Sequence, residues 1–111
     1  MRPIFYDRFS TGCKNARRVL ERITRNFTTI NVRKTPVLKK DLLQLLRRFK
    51  KASVKAGPSI REVDVATADD ATLLQMFLGR DGDRMRAPVL ASGETIFAGS
   101  DESLFRSMLK R

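Results

Sequence analysis

Histidine and tryptophan are absent from this 111-residue sequence, and tyrosine and cysteine occur once each. Without His there is no Cys–His pair, no His general base and no zinc site of the usual His-containing kinds. A single cysteine, Cys13, cannot close an internal disulfide, so a reducing compartment, the cytoplasm, is the expected location. No apolar run approaches the about 18–20 residues that a membrane-spanning helix needs, and no membrane association is expected. The opening Met1-Arg2-Pro3-Ile4-Phe5-Tyr6-Asp7 has neither a long apolar stretch nor a small-residue cleavage site, and does not read as a signal peptide. The seven Phe and the aliphatic residues suffice for one modest core, and the length fits a single domain over 1–111.

Acidic residues are scarce too: 12 Asp/Glu face 23 Lys/Arg, a net charge of +11. The imbalance is local. Residues 1–52 carry 15 basic and 3 acidic residues, net +12, and residues 53–111 carry 8 and 9, net −1. Such an asymmetry fits an acidic protein partner or nucleic acid, or two amphipathic helices with solvated basic faces. The Lys39–Lys51 stretch has no aromatic on its polar side, so stacking on bases is not supported. Asp69, Asp70, Asp81 and Asp83 lack the spacing of a calcium loop, and no metal site is expected.

Hydrophobic periodicity organises the chain. Ile4-Phe5-Tyr6, closed by Asp7, reads as a buried strand. Ala16, Val19, Leu20 and Ile23 form one face of a helix with Ser10 or Thr11 as N-cap. Phe27 to Val32 alternates and is β-branched, which predicts a strand. Thr35-Pro36 predicts the start of a helix to about residue 50, with Leu42, Leu43, Leu46 and Phe49 as its stripe. Ala52 to Ser59 reads as a connection, and Ile60 to Val65 as a short strand or an extended crossover. Thr67-Ala68-Asp69-Asp70 resembles a capping box for a helix ending near Gly79. Pro88–Ala91 and Thr95–Ala98 predict a hairpin around Ser92-Gly93-Glu94, and Ser100 predicts the N-cap of a last helix. The fold class expected from this order is α/β, a mixed sheet of about four strands flanked by helices.

In that order, a cysteine at the start of the first helix resembles the arsenate-reductase-like branch of the thioredoxin-like proteins. Ser10-Thr11-Gly12-Cys13-Lys14-Asn15-Ala16-Arg17 is similar to the family's active-site loop, with C-x3-R as Cys13 and Arg17, and with Ser10 where Spx-type relatives carry the first Cys of C-x-x-C. Ile30 to Pro36 is similar to its second strand and following Pro. Arg86-Ala87-Pro88-Val89-Leu90 is similar to the segment whose Pro is cis in thioredoxin-like folds, and Gly93 to Asp101 to its final hairpin. The sequence departs from arsenate reductases at their upstream His, where Phe9 stands, and near the last helix, where Ser100-Asp101-Glu102 replaces an Arg.

The resemblance implies a thiol-dependent oxidoreductase of the glutaredoxin-like, monothiol type with no bound cofactor. Cys13 would be the nucleophile, favoured as thiolate by the helix N-terminus, Lys14 and Arg17. Arg17 and Arg86 would hold an oxyanion or a carboxylate, Gly12 would let the loop approach a substrate, and Pro88 would present extended backbone to a peptide or glutathione. Ser10 is then an N-cap or a hydroxyl assisting the sulfur. With no second Cys, glutathione or another external thiol, or a thiol protein, must resolve the adduct. The alternative is a binding module with a degenerate site, its basic first half on an acidic protein, as Spx-type relatives bind RNA polymerase. A nucleic-acid partner is the weaker form of that alternative. Cys13 can also be a small buried residue with no chemistry.

Overall fold

The computed structural model describes residues 2–110. Six strands and four helices follow one another as β1 (Ile4–Asp7), α1 (Thr11–Ile23), β2 (Thr28–Asn31), α2 (Lys39–Leu46), β3 (Lys51–Ala56), β4 (Ser59–Asp64), α3 (Asp70–Phe77), β5 (Val89–Ser92), β6 (Thr95–Ala98) and α4 (Glu102–Leu109). One mixed sheet has the order β2-β1-β5-β6-β3-β4. β1 runs parallel to β2 and antiparallel to β5, while β6 is antiparallel to β5 and parallel to β3.

The period-2 alternation of the strands sends neighbouring residues to opposite faces, and each face is covered by two helices. Tyr6, Val89, Ala91, Ile96 and Ala98 meet Leu42 and Leu46 of α2 and Leu73, Met76 and Phe77 of α3. On the other side Phe5, Leu90 and Phe97 meet Ala16 and Leu20 of α1 and Phe105 of α4. Burying these side chains drives the association of the helices with the sheet, each buried Val, Leu, Ile, Met or Phe contributing on the order of 1.5–3 kcal/mol. The α/β class with a mixed, helix-covered sheet is as expected.

The strand count differs, six against about four. Ala52–Ser59, expected as a connection, is most of β3 plus a Gly57-Pro58 turn, and β4 pairs with β3 in antiparallel register from Lys51↔Asp64 to Ala56↔Ser59. Lys51, Lys55 and Ser53 break up the apolar signal of β3, whose buried residues Ala52 and Val54 are small. Gly57 turns the chain at φ +62°, a conformation that a Cβ disfavours. Close packing recurs at Gly99, φ +133°, where an added Cβ would lie 2.6 Å from Lys55 Cβ on β3.

Helix boundaries shift for local reasons. The second helix was expected from Thr35-Pro36 to about residue 50, but α2 spans Lys39–Leu46. Leu38 forms a β-bridge with Arg84, and Val37 O accepts from Met85 N–H, so tertiary pairing holds this stretch extended. After Leu46, tight turns lead Phe49 and Lys50 into β3. The N-cap of α3 is Asp69, not Thr67: its carboxylate accepts from Thr72 N–H at 2.8 Å. The N-cap of α4 is Asp101, not Ser100, and accepts from Leu104 N–H at 2.9 Å. The Ala87–Pro88 bond is cis, as the resemblance implied.

Candidate functional site at Cys13

The site begins where β1 ends. Asp7 closes a buried strand and is itself 1% exposed, so its carboxylate must find partners inside the protein. Arg17, one and a half turns into α1, supplies them: its Nε and Nη2 both lie 2.9 Å from Asp7 Oδ2. Nη2 also donates to Thr29 Oγ1 on β2 at 2.9 Å. The guanidinium is boxed by three rings, 5.5 Å from the centroid of Phe5, 5.8 Å from Phe9 and 5.7 Å from Phe27. One cation thus ties β1, α1 and β2 together.

The other carboxylate oxygen, Asp7 Oδ1, accepts from Phe9 N–H at 2.7 Å. That bond holds Phe9 at φ +60°, left-handed backbone that a bulky residue adopts at a cost, with its ring 54% exposed. Beside this bend the backbone N–H of Arg8, an exposed residue, reaches Cys13 Sγ at 3.4 Å. Ser10 then caps α1: Ser10 Oγ accepts from Cys13 N–H at 3.3 Å and Ser10 O from Lys14 N–H at 2.9 Å.

Cys13 therefore sits in the first turn of α1 with its sulfur accepting one backbone N–H, in the field of the orphan amides of that terminus. It is wholly buried. Ser10 takes the N-cap place. Gly12 is exposed in the same turn, and a Cβ there would meet nothing within 4 Å. Arg17, expected at an anion, has its guanidinium on Asp7 and Thr29. Arg86 is half-buried and lines a cleft with Arg8, whose backbone N–H is the one on Cys13, so Arg8 joins the sulfur to that cleft. Pro88 lies one residue before the Tyr6↔Val89 pair of β1 and β5, and its carbonyl accepts from Gly99 N–H at 3.0 Å.

Asp7, Phe9, Thr29 and Arg8 complete the site, and the sequence reading did not assign them roles. An acidic residue ending an apolar run is the one signal that marked Asp7. Among the described residues no group of three or more His, Cys, Asp and Glu is placed to hold a metal ion, and no helix is long and apolar enough to cross a membrane. No family model, curated protein or solved structure matches the chain.

Proposed function

We propose that the chain is a thioredoxin-like domain of the arsenate-reductase-like type, working as a monothiol oxidoreductase. The observation that carries this reading is Cys13 Sγ in the first turn of α1, accepting Arg8 N–H at 3.4 Å, beside the carboxyl end of a strand in the sheet's interior. The β2-β1-β5-β6 portion of the sheet, with α1 between β1 and β2 and α4 after the hairpin, supports the thioredoxin-like assignment; the β3–β4 hairpin is an addition at its edge.

In this reading the Cys13 thiolate attacks a glutathione mixed disulfide at the glutathione sulfur. A Cys13–glutathione disulfide forms and the substrate sulfur leaves as a thiolate, which takes a proton from water. A second glutathione thiolate then attacks the adduct, releasing glutathione disulfide and regenerating the Cys13 thiolate. The substrate sulfur is reduced from disulfide to thiol, the sulfur of the second glutathione is oxidised from thiol to disulfide, and the first glutathione sulfur stays at the disulfide level, with no second cysteine required. Because Sγ is buried, attack in this reading follows a local opening of Arg8-Phe9-Ser10, the loop between β1 and α1.

The test is reduction of a glutathionylated peptide by glutathione, followed as glutathione disulfide released. Turnover is expected with the native protein and not with Cys13→Ser.

The wholly buried sulfur favours a second reading, a binding module for an acidic protein. Arg47 is unsuited to probing it, because its guanidinium is bonded to Asp70 and to the carbonyls of Val65 and Ala68. Lys39→Glu/Lys40→Glu/Arg48→Glu leaves those bonds intact. Loss of function in that triple variant, with Cys13→Ser unaffected, would select this reading.

A further inference from the structure

Five arginines from three separate connections converge outside the carboxyl ends of the parallel strands β1 and β2. Arg8 follows β1, Arg33 follows β2, Arg80 and Arg84 lie in the loop after α3, and Arg86 leads into β5. They rim a cleft of about 510 Å³ whose floor includes Val32 and Met85, both buried. A second cleft, of about 600 Å³, shares Arg8, Arg80 and Arg86 with it.

The rim is built on anchored backbone. Gly79 N–H donates to Arg84 O at 2.8 Å, Met85 N–H to Val37 O at 2.8 Å and Arg86 N–H to Phe77 O at 2.8 Å. An added Cβ at Gly79 would stand 3.4 Å from Arg84 O, so the loop packs closely on itself. Two carboxylates offset the arginines: Asp81 in the cleft wall, and Asp83, whose Oδ1 accepts from Arg84 Nε at 3.3 Å. Five guanidinium groups against two carboxylates leave an excess of three positive charges. Like charges gathered around one cleft repel one another, and a bound anion relieves that repulsion. Guanidinium forks match the oxygens of phosphates and carboxylates, and the mouth of a sheet at its carboxyl end is a common place for such a ligand.

We infer that this cleft is a binding site for a small polyanion of about three negative charges, a linked phosphate or a tricarboxylate. Cys13 is not among the residues that line it, but Arg8, whose N–H is on the sulfur, and Arg86 are, so an anion bound here would lie beside the Cys13 site without needing its thiol. The two sources of charge differ in shape, and titration separates them.

The experiment is calorimetric titration of the whole protein with tripolyphosphate and, separately, with citrate, at low salt. Saturable binding of at least one is expected, and the tighter of the two names the source. Arg33→Gln/Arg80→Gln is expected to weaken it about 10-fold or more, through the loss of two charge-assisted contacts. Arg18→Gln/Arg25→Gln, which removes the same charge from exposed positions on α1 and just after it, is expected to change it less than about 2-fold. Cys13→Ser is expected to bind as the native protein does, so failure of the redox reading leaves this site standing. No saturable binding of either probe, or equal loss in the two double variants, would overturn the inference.

Discussion

Asp7 does two jobs with one carboxylate: it neutralises Arg17 and fixes the bend at Phe9, beside which Arg8 N–H meets Cys13. Removing it would leave a guanidinium boxed by three rings without its counter-ion, and Phe9 N–H without its acceptor. Asp7→Ala is expected to cost about 3 kcal/mol, since Arg17 keeps some contact with solvent. Asp7→Asn, which keeps an acceptor for Phe9 N–H, is expected to fall between the two. Urea unfolding of the three proteins checks this order, and an Asp7→Ala protein as stable as the native one would contradict it. The apolar run Ile4-Phe5-Tyr6 ending in Asp7 was readable as a strand and its end. Its pairing with Arg17 was not, because the two meet only once α1 has folded over β1. The C-x3-R spacing therefore drew Arg17 toward the anion role, while the buried carboxylate ten residues earlier is what it serves.

The caps show the same division at the scale of the element. The cap of α1 was legible as Ser10 or Thr11 because a helical stripe starts just after them, and it is Ser10. At α4 the sequence pointed to Ser100, but the cap is Asp101, which is also held by a strand distant in sequence: Lys55 Nζ on β3 lies 3.2 Å from Asp101 Oδ2. The Leu104 amide first, and then Lys55, hold the Asp101 carboxyl below its ordinary range despite some opposing desolvation. A carboxyl lowered in the folded state stabilises fully above its unfolded pKa of about 3.9, and this stability is lost as pH falls through the lower folded value. Asp101→Ala is expected to cost about 1 kcal/mol at neutral pH, mostly as a lost N-cap. The cost should shrink as acid protonates the carboxyl in the native protein. Thermal melts of both proteins at neutral pH and near pH 2 measure it, and a gap that widens in acid would contradict the assignment. β3 was missed for a related reason. Its buried residues Ala52, Ser53 and Val54 are small, and it is a strand because β6 and β4 flank it.

For the whole molecule, the strand order places β1 and β2, from the basic half of the sequence, at one end of the sheet. The α/β class followed from the alternation of strand and helix patterns, and the layers from two opposed apolar faces. The arginine cleft could not be read, because Arg8, Arg33, Arg80, Arg84 and Arg86 converge only through the topology. The same folding puts the sulfur in the first turn of α1 and also buries it. As the proposed nucleophile, this sulfur is reached by opening of Arg8-Phe9-Ser10 between β1 and α1. The direct measurement is mass spectrometry of the reduced protein during incubation with glutathione disulfide, under native conditions and in denaturant. One glutathione on Cys13 of the folded protein, removed again by excess glutathione, is the expected result. An adduct that forms only in denaturant would contradict it, and would leave Cys13 as a core residue.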